Sequence, residues 1–156
     1  MKFPSRRAWS RAGLGLVAAF LLIQLVPYGR DHVNPPVGTE PAWDSVATRD
    51  LAKQACFDCH SNETKWPAYS RVAPISWLIQ HDVAEGREVL NFSEWHRPQE
   101  KATKAADEVF EREMPPGIYE LMHAHARLSD ADRDRLARGL AKTFGPPRER
   151  TTDGHR

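Results

Sequence analysis

The chain has 156 residues, of which 40% are hydrophobic and 28% charged; that is ordinary globular composition and excludes general disorder. Its two cysteines exclude a disulfide-dense scaffold. The net charge of +1 hides an asymmetry: residues 1–11 hold four basic residues and no acid, whereas residues 31–156 hold 17 basic and 21 acidic residues, so no basic patch points to nucleic acid as the partner.

The predicted elements begin at the N-terminus. Residues 12–29 are uncharged and mostly apolar. As one helix they would rise about 27 Å, close to a hydrocarbon core of about 30 Å. Lys2, Arg6, Arg7 and Arg11 precede this run and Arg30-Asp31 follows it, with Trp9 and Tyr28 near its ends. Residues 1–30 therefore read as a basic flank and a single transmembrane anchor, with the bulk of the chain on the extracytoplasmic side. A cleaved signal peptide is the rival reading, but Val26-Pro27-Tyr28-Gly29 is a poor cleavage site. Residues 31–43, with Pro35, Pro36 and Pro41, read as a stiff linker.

Residues 44–145 read as one folded domain and 146–156 as a polar tail. A first helix is predicted over 44–55 with Asp44 as N-cap, and a second over 74–89 with Pro74 at its start. A third covers 98–113, amphipathic but weakly apolar, and a short fourth covers 117–125. The clearest covers 129–144. Ser129 and Asp132 form a capping pair there, Leu136, Leu140 and Phe144 make a buried stripe, and Gly145-Pro146-Pro147 stops it. Strand-period alternation is nearly absent. The expected fold is a small all-α domain with long loops, preceded by the transmembrane helix.

One motif carries an expectation of haem. The only cysteines are Cys56 and Cys59, and His60 follows. Cys-x-x-Cys-His is the attachment signature of c-type haem. Two thiols at this spacing reach the two vinyl groups on one porphyrin edge, and the next side chain lies under the ring, where an imidazole can bind iron. A thioredoxin-like motif wants a βαβ setting, which is absent from the pattern. Structural zinc wants four ligands, and no pair of histidines with three to five residues between them accompanies the cysteines; His123 and His125 are only two apart. A disulfide here would close a tiny loop and stabilise little.

The second axial ligand is open. Met114 lies 54 residues after His60, before Pro115-Pro116, on a stretch that proline holds extended. A Met/His pair suits electron transfer. The competing reading makes Met114 a core gap-filler. His81, His96, His123 and His125 are alternative ligands, and an open five-coordinate iron is a further one. Met122 lies in the short fourth helix, and His32 and His155 lie in the linker and tail. Trp66, Tyr69, Trp77, Phe92 and Trp95 crowd a 30-residue stretch and are candidates for pocket walls or for ordinary core. Arg71 and Arg87 are candidates for pairing with haem propionates, or for plain solvated charge.

The chain resembles the CxxCH haem-binding domain family of short bacterial proteins, commonly membrane-anchored. The resemblance is carried by Asp31-His32, Asn34-Pro35-Pro36, Cys56 to Thr64, Trp66-Pro67, Tyr69-Ser70, Ala73-Pro74, Ser76-Trp77, Gly86-Arg87, Leu90 to Ser93, Trp95 and Glu113 to Pro116. It covers roughly residues 31–145. One departure is Ala68, where the family usually carries an aromatic, which would open one wall of the pocket. The resemblance implies one covalent haem c on Cys56 and Cys59, with His60 as proximal ligand. Covalent attachment calls for the haem-ligation machinery as a partner during maturation, and the expected anchor puts the domain on the periplasmic side of a bacterial inner membrane. Met114-Pro115 and the helix start at Leu128-Ser129 are similar to the C-terminal half of small cytochromes c.

Three functions compete. A membrane-tethered electron carrier needs two stable axial ligands and a redox partner protein, which the sequence does not name. A haem-based gas or redox sensor needs an open iron site. A small peroxidase needs an acid–base residue over the iron, for which His81 or His96 would serve.

Overall fold

The computed structural model describes residues 6–145; the tail expected at 146–156, and with it His155, lies outside the described residues, as does Lys2. Among the described residues there are seven α-helices and no strand. They are α1 (Arg6–Ile23), α2 (Val46–Ala55), α3 (Phe57–His60), α4 (Ile75–Val89), α5 (Ala105–Phe110), α6 (Gly117–Met122) and α7 (Asp130–Phe144). Short 3-10 turns lie at Ala68–Arg71, Ala102–Lys104 and Ala124–Ala126. The chain divides into two compact units: Met1–Val33 with Trp66–Asp82, and Asn34–Lys65 with Val83–Arg156.

The N-terminal segment differs from its expectation. No helix among the described residues is long and apolar enough to cross a membrane. The charge-free window ran to residue 29, but α1 stops at Ile23 and includes Arg6, Arg7 and Arg11. Its uncharged part, residues 12–23, rises only about 18 Å. The stop has a tertiary cause. The Gln24 amide clamps one backbone position, donating to the Ala73 carbonyl at 2.9 Å and accepting from the Ala73 amide at 3.0 Å. Pro27 follows, which cannot continue a helix. In the same unit His32 stacks on Trp66 at 4.7 Å, with its Nε2 3.1 Å from the Ser70 carbonyl.

The second unit holds the core. Leu136 and Leu140 of α7 are buried against Val109 and Ala106 of α5, Ala52 of α2, and Phe57, Leu90 and Phe92. Full burial of a leucine stabilises by roughly 1.5–3 kcal/mol. Trp43, Phe57, Phe92, Phe144 and Trp95 form a continuous aromatic layer, with Phe57 and Phe92 centred 5.5 Å apart and Trp95 on Phe144 at 4.9 Å. Helices α2 and α7 approach closely because Gly139 has no side chain; a Cβ there would collide with Thr48. Ser129 caps α7, accepting from the Asp132 amide at 3.1 Å while its hydroxyl donates to the Asp132 carboxylate at 2.7 Å. Gly145 at φ +83° ends it.

Three helix expectations need correction. The N-cap of α2 is Ser45, which accepts from the Thr48 amide, and not Asp44. The helix expected over 98–113 is reduced to a 3-10 turn and the six residues of α5. Gln99 holds the approach to it outside the helix, donating to the Glu94 carbonyl and accepting from the Asn91 amide at 3.0 Å each. Arg112, at φ +65°, closes its far end. The short fourth helix ends at Met122, and a 3-10 turn replaces its last residues.

Candidate functional site

The CxxCH segment lies at the junction of two helices. Cys56 ends α2, its amide bonded to the Ala52 carbonyl at 2.8 Å, and its own carbonyl starts the turn of α3 by accepting from the amides of Cys59 and His60. Phe57 anchors this turn in the core at 2% exposure. Asp58 points to the other side, where it accepts a 2.6 Å hydrogen bond from the Tyr119 hydroxyl. Ring contacts then link Tyr119 to His123 and His123 to His125.

His60 is held by its Nδ1, which lies 3.0 Å from the Gly86 carbonyl and 3.1 Å from the Leu90 carbonyl. Carbonyl oxygens only accept, so Nδ1 carries the hydrogen and the neutral ring has its lone pair on Nε2. Burial holds the imidazole below its ordinary pKa despite these two bonds, which favours the neutral form. The geometry depends on Gly86. A Cβ at this position of α4 would lie 2.6 Å from the Cys59 carbonyl, so only glycine lets α4 come this close to the motif.

A polar clamp fixes the same segment from the other side. Asn62 and Asn91 share a 2.9 Å hydrogen bond, and Ser93 receives the Asn62 amide at 3.0 Å. The Ser93 amide donates to the Asn91 side chain, and the Phe92 amide donates to the His60 carbonyl at 2.8 Å. Asn62, Asn91 and Ser93 are all buried at 2% exposure or less. Arg87 adds bonds to the Ser61 carbonyl at 2.8 Å and to Thr64 and Asn34. Motif residues around His60-Ser61-Asn62 and Leu90-Asn91-Phe92-Ser93 thus act as a latch between two chain segments.

One cavity joins three of the four predicted site residues; Cys59 is not among those that line it. It encloses about 180 Å³, widening to about 710 Å³ with its open mouth. Cys56, His60 and Met114 all line it, with apolar walls from Val89, Leu90, Phe92, Val109 and Leu140. Lys101, Lys104 and Glu108 are its charged lining groups. Burial and the neighbouring Cys59 push the Cys56 thiol up to about 12, partly opposed by Arg133. Met114 is pinned at both backbone polar groups. Its amide donates to the Glu108 carbonyl at 3.0 Å, and its carbonyl accepts from Arg133 Nη1 at 2.8 Å. The bond from Met114 to Pro115 is cis.

Other expectations do not converge on this cavity. Of the five aromatics, Phe92 alone lines it; Trp66, Tyr69 and Trp77 belong to the other unit, and Trp95 packs on Phe144. Ala68 belongs to the other unit too, so its small side chain opens no wall of this cavity. Arg87 is committed to backbone and side-chain acceptors of the chain itself, and Arg71 is exposed in the other unit. None of His81, His96, His123 and His125 lines the cavity. The cationic lining comes instead from Lys101 and Lys104, which nothing in their spacing to the motif signalled. Arg133 did leave a signal: it shares the helical stripe of Leu136, Ala137 and Leu140.

A family model described as a haem-binding domain matches residues 18–142. No curated protein and no solved structure matches the chain.

Proposed function

The chain belongs to the haem-binding domain family, and on that footing we propose that it is a monohaem c-type electron carrier, with haem attached through Cys56 and Cys59, His60 as proximal ligand and Met114 as the second axial ligand. One observation carries this reading: a cavity with mostly apolar walls brings together Cys56, His60 and Met114, and the two bonds at His60 Nδ1 leave the imidazole lone pair on Nε2. The donor set fits the group. A neutral imidazole nitrogen and a thioether are a known axial pair, the walls are apolar, and the lysines of the lining match carboxylate-bearing propionates.

When bound, haem supplies a one-electron ferric/ferrous couple, which a Met/His pair holds at high potential. The chain's own residues do the rest. The Gly86 and Leu90 carbonyls fix the imidazole plane and raise its basicity as a ligand. Val109, Leu140 and Phe92 give the cavity apolar walls against which the porphyrin face would pack. Lys101 and Lys104 are exposed and would hold the acidic edge of the porphyrin at the solvent. Because His60 and Met114 would both hold the haem iron, this reading favours electron transfer over gas binding or peroxidase chemistry. It calls for a redox partner protein, for the haem-ligation machinery during maturation, and for a compartment outside the cytoplasm where thioether haem is attached.

The test is a haem stain on a denaturing gel with a pyridine haemochrome spectrum, run on protein expressed with that machinery. The wild type should keep its stain and show a thioether-type spectrum, and Cys56→Ala with Cys59→Ala should lose the stain. Haem that leaves the wild-type chain on denaturation would refute covalent attachment.

A further inference from the structure

Arg133 is a buried cation that the electron-carrier reading leaves without a role. It is 5% exposed, on the inner face of α7. Its guanidinium spans three separate pieces of chain. Nη1 donates to the Met114 carbonyl at 2.8 Å and to the Val109 carbonyl, at the end of α5, at 3.3 Å. Nη2 donates to the Glu120 carboxylate of α6 at 2.7 Å, a pair in which both side chains are largely shielded. Nε is buried without a hydrogen-bond partner. Burying a guanidinium is costly, and a surface-like ion pair would not require it. The rigid fork is what the position uses: a planar group with several donors reaches two carbonyls and a carboxylate at once, whereas an ammonium offers one compact point of charge.

We propose that Arg133 is the positioning residue for Met114, holding the Met114–Pro115 stretch so that the thioether is kept at the cavity that His60 also lines. This rests on the assignment of Met114 as ligand. The argument is geometric. The Met114 amide is tied to Glu108 of α5, and its carbonyl is tied to Arg133 of α7. With both backbone groups of one residue fixed to two helices that pack on each other, the side chain leaves from a fixed point. Without Arg133 the carbonyl side is released, and Glu120 is left as a shielded, unpaired carboxylate.

The test compares Met114→Ala, Arg133→Met and Arg133→Lys as haem-loaded full-length proteins. The readouts are the sulfur-to-ferric-iron charge-transfer band, carbon monoxide binding to the reduced protein, and helix content by circular dichroism. In Met114→Ala the band should vanish. In Arg133→Met the band should weaken strongly at wild-type helix content, and carbon monoxide should gain access, as expected for a roughly 10- to 100-fold weaker hold of the outer-shell kind. Arg133→Lys keeps the charge but cannot span the three acceptors, so its band should be reduced as well; this variant carries the test if Arg133→Met does not accumulate. A full-strength band in the arginine variants, with Met114→Ala lacking it, would overturn the positioning role and leave the ligand assignment standing. A full-strength band in Met114→Ala would overturn the ligand assignment, and the role of Arg133 with it.

Discussion

Replacing Asn91 by alanine tests whether the buried latch behind His60 is what holds the site. Asn91 is 1% exposed and makes two side-chain hydrogen bonds of 2.9 Å, donating to Asn62 and accepting from the Ser93 amide. Truncation removes both and leaves an Asn62 oxygen and a backbone N–H inside the protein without partners. Each such orphan costs roughly 1–3 kcal/mol, so the variant should lose about 2–6 kcal/mol. That is a large share of a typical domain stability of about 5–15 kcal/mol. Thermal unfolding should shift down by at least about 8 °C at about 4 °C per kcal/mol. The effect should reach the site, because the neighbours of Asn91 are the ones that grip His60: the Leu90 carbonyl at Nδ1 and the Phe92 amide at the backbone. Urea unfolding at pH 7 followed by circular dichroism measures the loss. An Asn62→Ala cycle then asks whether the two residues are coupled by more than about 0.5 kcal/mol, as residues sharing one bond should be. A change in stability below about 0.5 kcal/mol, the size of an ordinary surface substitution, would refute the reasoning.

Three further outcomes follow from the same structure. Gly86→Ala should destabilise by roughly 1–3 kcal/mol, because its Cβ would stand 2.6 Å from the Cys59 carbonyl; a helical Gly-to-Ala change is otherwise worth up to about 1 kcal/mol in stability, so a rise in melting temperature would contradict the close approach. Leu140→Ala, at a 1% exposed wall of the cavity, should cost about 2–3 kcal/mol by urea unfolding, toward the low end for buried leucines because the wall already borders open space. The Arg49 guanidinium, bonded to Glu40 at 2.6 and 2.7 Å, holds that carboxyl below its usual 4.5. A carboxyl depressed in the folded state stabilises above its unfolded pKa and loses that contribution as pH falls through the folded one. The stability gap between wild type and Glu40→Gln should therefore be constant above about pH 5.5 and close as acid is added below 4.5, within about 1 kcal/mol for so accessible a pair; a gap that widens in acid would contradict it.

What the sequence makes legible is local. Ser129 with Asp132 and Gly145 mark both ends of α7, because caps are formed by side chains a few residues from the backbone groups they satisfy. The haem motif is equally local: five consecutive residues carry it. Long-range hydrogen bonds are not legible in this way. Gln24 ends α1 by bonding to Ala73, 49 residues away, and a window of uncharged residues cannot register that. Gln99 shortens the third helix by serving Asn91 and Glu94 instead of the helical ladder. The sequence leaves Arg87 open between a propionate partner and plain solvated charge, and it is neither: its acceptors come from residues 34, 61 and 64. Arg133 stood on an apolar stripe in plain view; a charge at a core register is the signal that composition averages away.

The interior of the second unit is thin. Alanine supplies four of the ten buried residues of its core cluster, Ala52, Ala102, Ala106 and Ala137. Short side chains let α2, α5 and α7 draw near, yet they contribute little apolar area of their own. In the proposed carrier, a haem held in the cleft would complete this hydrophobic interior, and its binding to the folded chain would add to a stability that the short side chains supply only in part.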